Sequence, residues 1–78
     1  MSILTINKST LATHVSFTDI KMVVQLADGR ELSVPLEWFP RLRDAKHNQL
    51  ENWRLIGNGE GIHWEELDED ILVKALLK

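Results

Sequence analysis

The sequence predicts a small α+β domain, and three observations carry that prediction. Asp28-Gly29 sits between two short runs in which apolar residues alternate with polar ones, the pattern of a β-hairpin. Trp38, Phe39 and Leu42 then recur at helical spacing. Near the C-terminus, Asp68, Glu69 and Asp70 precede Ile71, Leu72, Ala75 and Leu76, an acidic start followed by an apolar helical stripe.

The elements follow in chain order. Residues 1–11 are read as a flexible or edge segment. Val15 and Phe17 alternate with His14 and Ser16, which suits a half-buried strand. Lys21 to Leu26 is a second strand, and at least one of Met22, Val24 and Leu26 is expected to stay exposed. Asp28-Gly29 is expected to close a type I′ turn, which needs positive φ at both central residues. Glu31 to Leu36 completes a three-stranded antiparallel meander, with Pro35 at a strand end or edge because it lacks an N–H. One or two short helices follow, Glu37–Arg43 and Ala45–Asn52; a single kinked helix is the alternative. Pro40 is tolerated only in a first turn, and Asp44 is placed to cap the second helix, which carries Leu50 and Trp53 inward. Arg54–Ile56 and Ile62–Trp64 form a second hairpin around the loop Gly57-Asn58-Gly59-Glu60-Gly61. Asp68 then caps a C-terminal helix from Glu69 to Leu77, packed on the sheet. The expected core is Val15, Phe17, Val23, Leu32, Val34, Leu42, Leu50, Ile62, Ile71 and Ala75.

Composition bounds the function. A chain of 78 residues holds one domain, and 44 % hydrophobic with 27 % charged residues is the balance of a folded protein. With no cysteine, disulfides, zinc–thiolate sites and thiol catalysis are excluded. The N-terminus lacks the order of a signal peptide, and no apolar run approaches the ~18 residues that span a bilayer. A cytoplasmic location without membrane attachment is therefore expected. The net charge of −3 disfavours a nucleic-acid binder. Charge is unevenly spread: Glu60, Glu65, Glu66, Asp68, Glu69 and Asp70 occur with no basic residue among them, whereas Arg41, Arg43, Lys46 and Arg54 cluster earlier. These are either two solvated surfaces that pair with each other or an acidic patch that steers a basic partner.

No motif specifies catalysis. The glycine loop is followed by a β segment and lacks a Walker lysine, so it reads as a turn rather than a phosphate cradle. The carboxylates around Asp68 lack an EF-hand pattern, and the three histidines lack metal-ligand spacing. No catalytic residue, cofactor or metal is assigned. His63, beside Trp64 and near several carboxylates, is the residue that a small-ligand site would use. Trp38, Trp53 and Trp64 can each bury a large area and are read first as core; because Trp and Arg also dominate interface hot spots, Trp38 and Arg41 in the compact Trp38-Phe39-Pro40-Arg41 corner are the alternative, partner-facing anchors.

Three runs read together resemble a widespread bacterial family of small domains of unknown function: Asp28-Gly29-Arg30-Glu31-Leu32-Ser33-Val34-Pro35-Leu36-Glu37-Trp38-Phe39-Pro40-Arg41-Leu42, Asn52-Trp53-Arg54-Leu55, and Gly61-Ile62-His63-Trp64 with Leu67-Asp68-Glu69-Asp70-Ile71. The family pattern has proline where this chain has Glu65, and a final glycine that this chain lacks. The resemblance implies an α+β fold without established catalytic residues. It also implies a role as the antitoxin-like member of a two-protein pair encoded together. Some relatives add a helix-turn-helix domain, for which this chain has no room.

The expectation is a non-enzymatic interaction module that neutralises or regulates a small, basic, co-encoded protein. Its contact residues are Trp38, Arg41, His63, Trp64, Glu65, Glu66, Asp68 and Glu69. The exposed sheet edge also allows a homodimer. The alternatives are a transcriptional accessory or nucleic-acid contact through Arg41, Arg43, Lys46 and Arg54, and a small-ligand site at His63.

Overall fold

A computed structural model describes residues 11–77; the expectation for residues 1–10 lies outside them. Two three-stranded antiparallel sheets are built in chain order. The first comprises β1 (Ala12–Phe17), β2 (Lys21–Leu26) and β3 (Glu31–Pro35). A 3₁₀ turn (Leu36–Trp38) and two one-turn helices, α1 (Pro40–Arg43) and α2 (His47–Leu50), lead to the second sheet. That sheet comprises β4 (Trp53–Ile56), β5 (Gly61–Trp64) and β6 (Glu69–Leu72), and α3 (Val73–Leu76) closes the described chain. The α+β class and the meander stand as the sequence predicts.

The inner face of the first sheet is set by register. Val15 opposes Val24, which opposes Leu32, while Phe17 opposes Met22, which opposes Val34. Opposed residues of an antiparallel pair share a face. Residues 22, 24 and 26 are two apart, so alternation puts all three inside, and Met22, Val24 and Leu26 are all buried. The expectation that one stays exposed is overturned; Val23, expected in the core, lies on the opposite face and is half-buried. A register shift between Ala12 and His14 resets the parity of β1, which lets both Ala12 and Val15 enter the core.

Turn chemistry departs from expectation at Asp28-Gly29. Gly29 has positive φ (96°) and Asp28 does not, so no type I′ turn forms. Leu26 N–H donates to the Arg30 carbonyl at 2.8 Å around a three-residue loop, and Asp28 Oδ1 accepts the Arg30 N–H at 3.0 Å. The helices are shorter than predicted. Pro40 does open α1. Asp44 ends α1 rather than capping α2; Lys46 holds the N-cap position, its N–H donating to Gln49 Oε1 at 2.9 Å.

The largest correction is at the C-terminus. Glu69–Leu72 is a strand, not a helix, and Asp68 is not a cap. Asp68 adopts φ 52°, and its N–H donates to the Glu65 carbonyl at 3.3 Å. This tight turn folds β6 back onto β5, with Ile71 opposite Ile62. Helix remains only at Val73–Leu76, so Val73 is buried and Ala75, expected in the core, is exposed.

One hydrophobic core joins the two sheets. Val15, Val34, Leu42, Leu50, Ile62 and Ile71 are buried as expected, with Phe17 and Leu32 packed against them. The core also takes in Leu36, Val73 and Trp64. Trp64 is fully buried, 6.4 Å from Phe17 between ring centroids, and its indole N–H donates to the Leu50 carbonyl at 3.0 Å.

Candidate functional site

Alternation in the second sheet puts Ile62, Trp64 and Ile71 on one face and His63 on the other. Trp53 and Glu69 flank Trp64 on one face; Arg54, His63 and Asp70 lie side by side on the other. Alternation along three paired strands thus builds a charged row across the outer face. His63 Nδ1 bonds to Asp70 Oδ1, and Nε2 lies 3.0 Å from Glu65 Oε1. Arg54 Nη2 reaches the same Glu65 oxygen at 3.4 Å.

Two carboxylates around one ring favour the imidazolium, which can donate from both nitrogens. Hydrogen bonding to Asp70, then to Glu65, raises the His63 pKa above its ordinary value. The His63 and Arg54 contacts lower that of Glu65. The signs define a window. Stability from His63 is fully present below the ordinary imidazole value and fades as pH rises through the raised folded value. Stability from Glu65 is present above the ordinary carboxylate value and fades as pH falls through the lowered folded value. NMR titration is expected to give a His63 midpoint above the ordinary one, and Asp70→Asn is expected to remove most of the rise. An unshifted His63 in the parent protein would disprove the bridge.

With each nitrogen held by a carboxylate, the ring acts as a charge bridge and offers no free lone pair to a proton or metal. Among the described residues, no group of three or more His, Asp or Glu side chains has metal-holding geometry.

Beside this row lies an apolar groove of about 370 Å³. Trp38, Phe39, Asp70, Ile71, Leu72, Ala75 and Leu76 line it. Trp38 is 63 % exposed and Leu72 61 % exposed, although both are large and apolar. The fold explains the Trp38 position: the 3₁₀ turn and Pro40 reverse the chain, burying Leu36 and Leu42 and leaving Trp38 outside.

The residues singled out from the sequence fall into different places. Trp38 stands at the groove. Arg41 donates to the Asp68 carbonyl at 2.6 Å and so holds the turn before β6. Trp64 is in the core and offers no surface. Glu65 belongs to the His63 row, while Glu66 accepts from Gln49 Nε2 at 3.1 Å. Asp68 is in the turn with its carboxylate 96 % exposed, and Glu69 is half-buried beside Trp64. The acidic run is therefore divided between a turn and two sheet faces. The basic run is divided too: Arg43 pairs with Asp44 at 3.0 Å and Glu37 at 3.7 Å, and Arg54 with Glu65. Leu72 is not among the residues the sequence singles out, and Asp70 enters there only as one member of the acidic run. The available signal was Asp68, a residue type that tolerates positive φ, between two four-residue stretches.

Among the described residues, no helix is long and apolar enough to cross a membrane. No functionally curated protein matches the sequence significantly. The fold is similar to a crystal structure of a protein of unknown function from Rhodospirillum rubrum, with TM-score 0.75 and 28 % identity over 86 % of this chain and 83 % of that one. It is also similar to the solution structure of an uncharacterised protein from Chromobacterium violaceum, with TM-score 0.73 and 26 % identity over 86 % of this chain and 63 % of that one. The model of a family described as protein of unknown function (DUF2442) matches residues 12–78, and the chain belongs to that family.

Proposed function

We propose that this chain is a non-enzymatic protein-interaction module whose groove receives an apolar, basic surface of a small partner protein. The observation that carries this reading is the solvent exposure of Trp38 and Leu72, which line one groove. Apolar surface returned from water contributes roughly 25 cal/mol per Å², and a tryptophan offers a large area at low entropic cost. Asp70 lines the hollow, and exposed Glu37 is the chain neighbour of Trp38. This supports a partner of positive charge.

An antitoxin-like role is the specific form of this proposal, with the partner co-encoded and neutralised by capture. The experiment is calorimetric titration of the adjacent gene product into the wild-type protein and into Trp38→Ala. The expected result is nanomolar to micromolar binding that weakens at least about 30-fold in the variant, as for an interface hot spot. Thermal stability should stay nearly unchanged, because the indole is mostly in solvent. Equal affinity for both proteins would remove the groove from the interaction.

A further inference from the structure

The groove touches Asp70, Ile71 and Leu72, three consecutive residues of β6. Consecutive strand residues point to opposite faces, so a hollow that meets all three runs along the edge of the strand. Among the described residues, β6 is an outer strand in the order β4-β5-β6.

One hydrogen bond fixes which backbone groups face that edge. The Val73 N–H donates to the Glu60 carbonyl at 3.0 Å, towards β5. The Leu72 carbonyl belongs to the same trans peptide and points the opposite way. Leu72 is extended (φ −83°, ψ 127°), so its N–H points outward as well. Two-residue alternation turns the N–H and carbonyl of Asp70 to the same side. By the same alternation the backbone groups of Ile71 and Glu69 face β5.

We propose that β6 recruits its partner by strand addition. An extended segment of the partner pairs with the outward backbone groups of Asp70 and Leu72 as a fourth strand of the second sheet. Its alternate side chains enter the hollow between Trp38 and Leu72. This rests on the interaction role proposed above and names the chemistry recognised: a short extended segment alternating β-branched or aromatic residues with lysine or arginine. Outward peptide groups on an edge strand supply affinity, and the side-chain hollow supplies selectivity.

The charge pattern selects the occupant. β6 begins Glu69-Asp70, and Asp70 lines the hollow. A second copy pairing through the same edge sets two acidic strands side by side, which like-charge repulsion disfavours.

The test uses peptides selected on the immobilised protein from a displayed random library, then synthesised with their backbone intact or N-methylated at alternate residues. Selected peptides are expected to alternate apolar and basic residues, and to protect the Asp70 and Leu72 amides from hydrogen exchange by at least tenfold. N-methylation on the pairing side is expected to weaken binding at least tenfold. Leu72→Pro gives a second check. Its φ suits proline and its N–H faces outward, so the variant should fold yet lose peptide binding, whereas Leu72→Val retains it. Unfolding of Leu72→Pro overturns the assigned edge direction. Peptides that need Trp38 but tolerate N-methylation, with no amide protection, overturn strand addition while the groove keeps its interaction role. Failure to select any peptide that depends on Trp38 overturns both. Concentration-dependent dimerisation that protects the Leu72 amide without peptide makes the edge a self-contact and overturns the basic partner.

Discussion

Trp64→Ala is expected to leave the protein largely unfolded at room temperature. Trp64 is fully buried between the two sheets and is the largest such side chain. Truncating a buried tryptophan to alanine costs about 3–5 kcal/mol through lost transfer free energy and an unfilled cavity. The change also strands the Leu50 carbonyl, which accepts the indole N–H at the end of α2, where helical carbonyls have no partner within the helix. An orphaned buried acceptor adds about 1–3 kcal/mol. A domain of this size has stability near the lower end of roughly 5–15 kcal/mol, so the sum approaches the whole. Urea denaturation followed by circular dichroism measures it. Trp64→Phe separates the two contributions, since it keeps most of the apolar volume and loses the donor. A cooperative transition in Trp64→Ala with a loss below about 1 kcal/mol would show that the indole does not hold the sheets together.

Gly59→Ala is expected to be the next most damaging single change. Gly59 has φ 105°, and a Cβ there would lie 2.4 Å from the Ala12 carbonyl oxygen and 3.0 Å from its nitrogen. Backbone atoms of β1 cannot rotate away as a side chain can, so the turn after β4 and the start of β1 would have to separate. Gly29 isolates the conformational part: its φ is 96°, and no atom beyond its own chain neighbours lies within 4 Å of the added Cβ. Gly29→Ala should cost about 1–2 kcal/mol from positive φ alone. Gly59→Ala should cost about 3 kcal/mol or more, because overpacking against fixed backbone is added. Equal losses in the two variants would mean that the approach of Gly59 to Ala12 is looser than described.

The strands and the site differ in how well the sequence announces them. The meander was legible because Val15 and Phe17, then Met22, Val24 and Leu26, then Leu32 and Val34 keep a two-residue period. The same period, applied strictly, buries Met22, Val24 and Leu26 together; the expectation that alternation leaves one of them exposed overlooked that residues two apart share a face. Trp38 stood out in the sequence beside Arg41, but its exposure did not, because a tryptophan in so small a chain is as readily core as surface. Its groove was not legible, since Leu72 and Asp70 approach Trp38 only after β6 folds back.

The C-terminal error has one physical origin. Asp68-Glu69-Asp70 ahead of Ile71, Leu72, Ala75 and Leu76 satisfies the local rules for a helix start, and a free peptide has no reason to prefer a strand. In the folded chain, β5 offers an unpaired edge, and Ile71 gains burial opposite Ile62. Tertiary pairing outweighs helix propensity, which differs among ordinary residues by only about 0.7 kcal/mol each.

By itself, then, the sequence determined the α+β class, the three-stranded meander and about half of the buried core. All of these follow from periodicity and from local stereochemistry at Pro40 and Gly29. Only the tertiary structure decided that Glu69–Leu72 is an edge strand, that Trp64 is core rather than contact surface, and that His63 bridges Asp70 and Glu65. Each depends on which strand lies beside which, a choice made by burial and hydrogen bonding across residues distant along the chain.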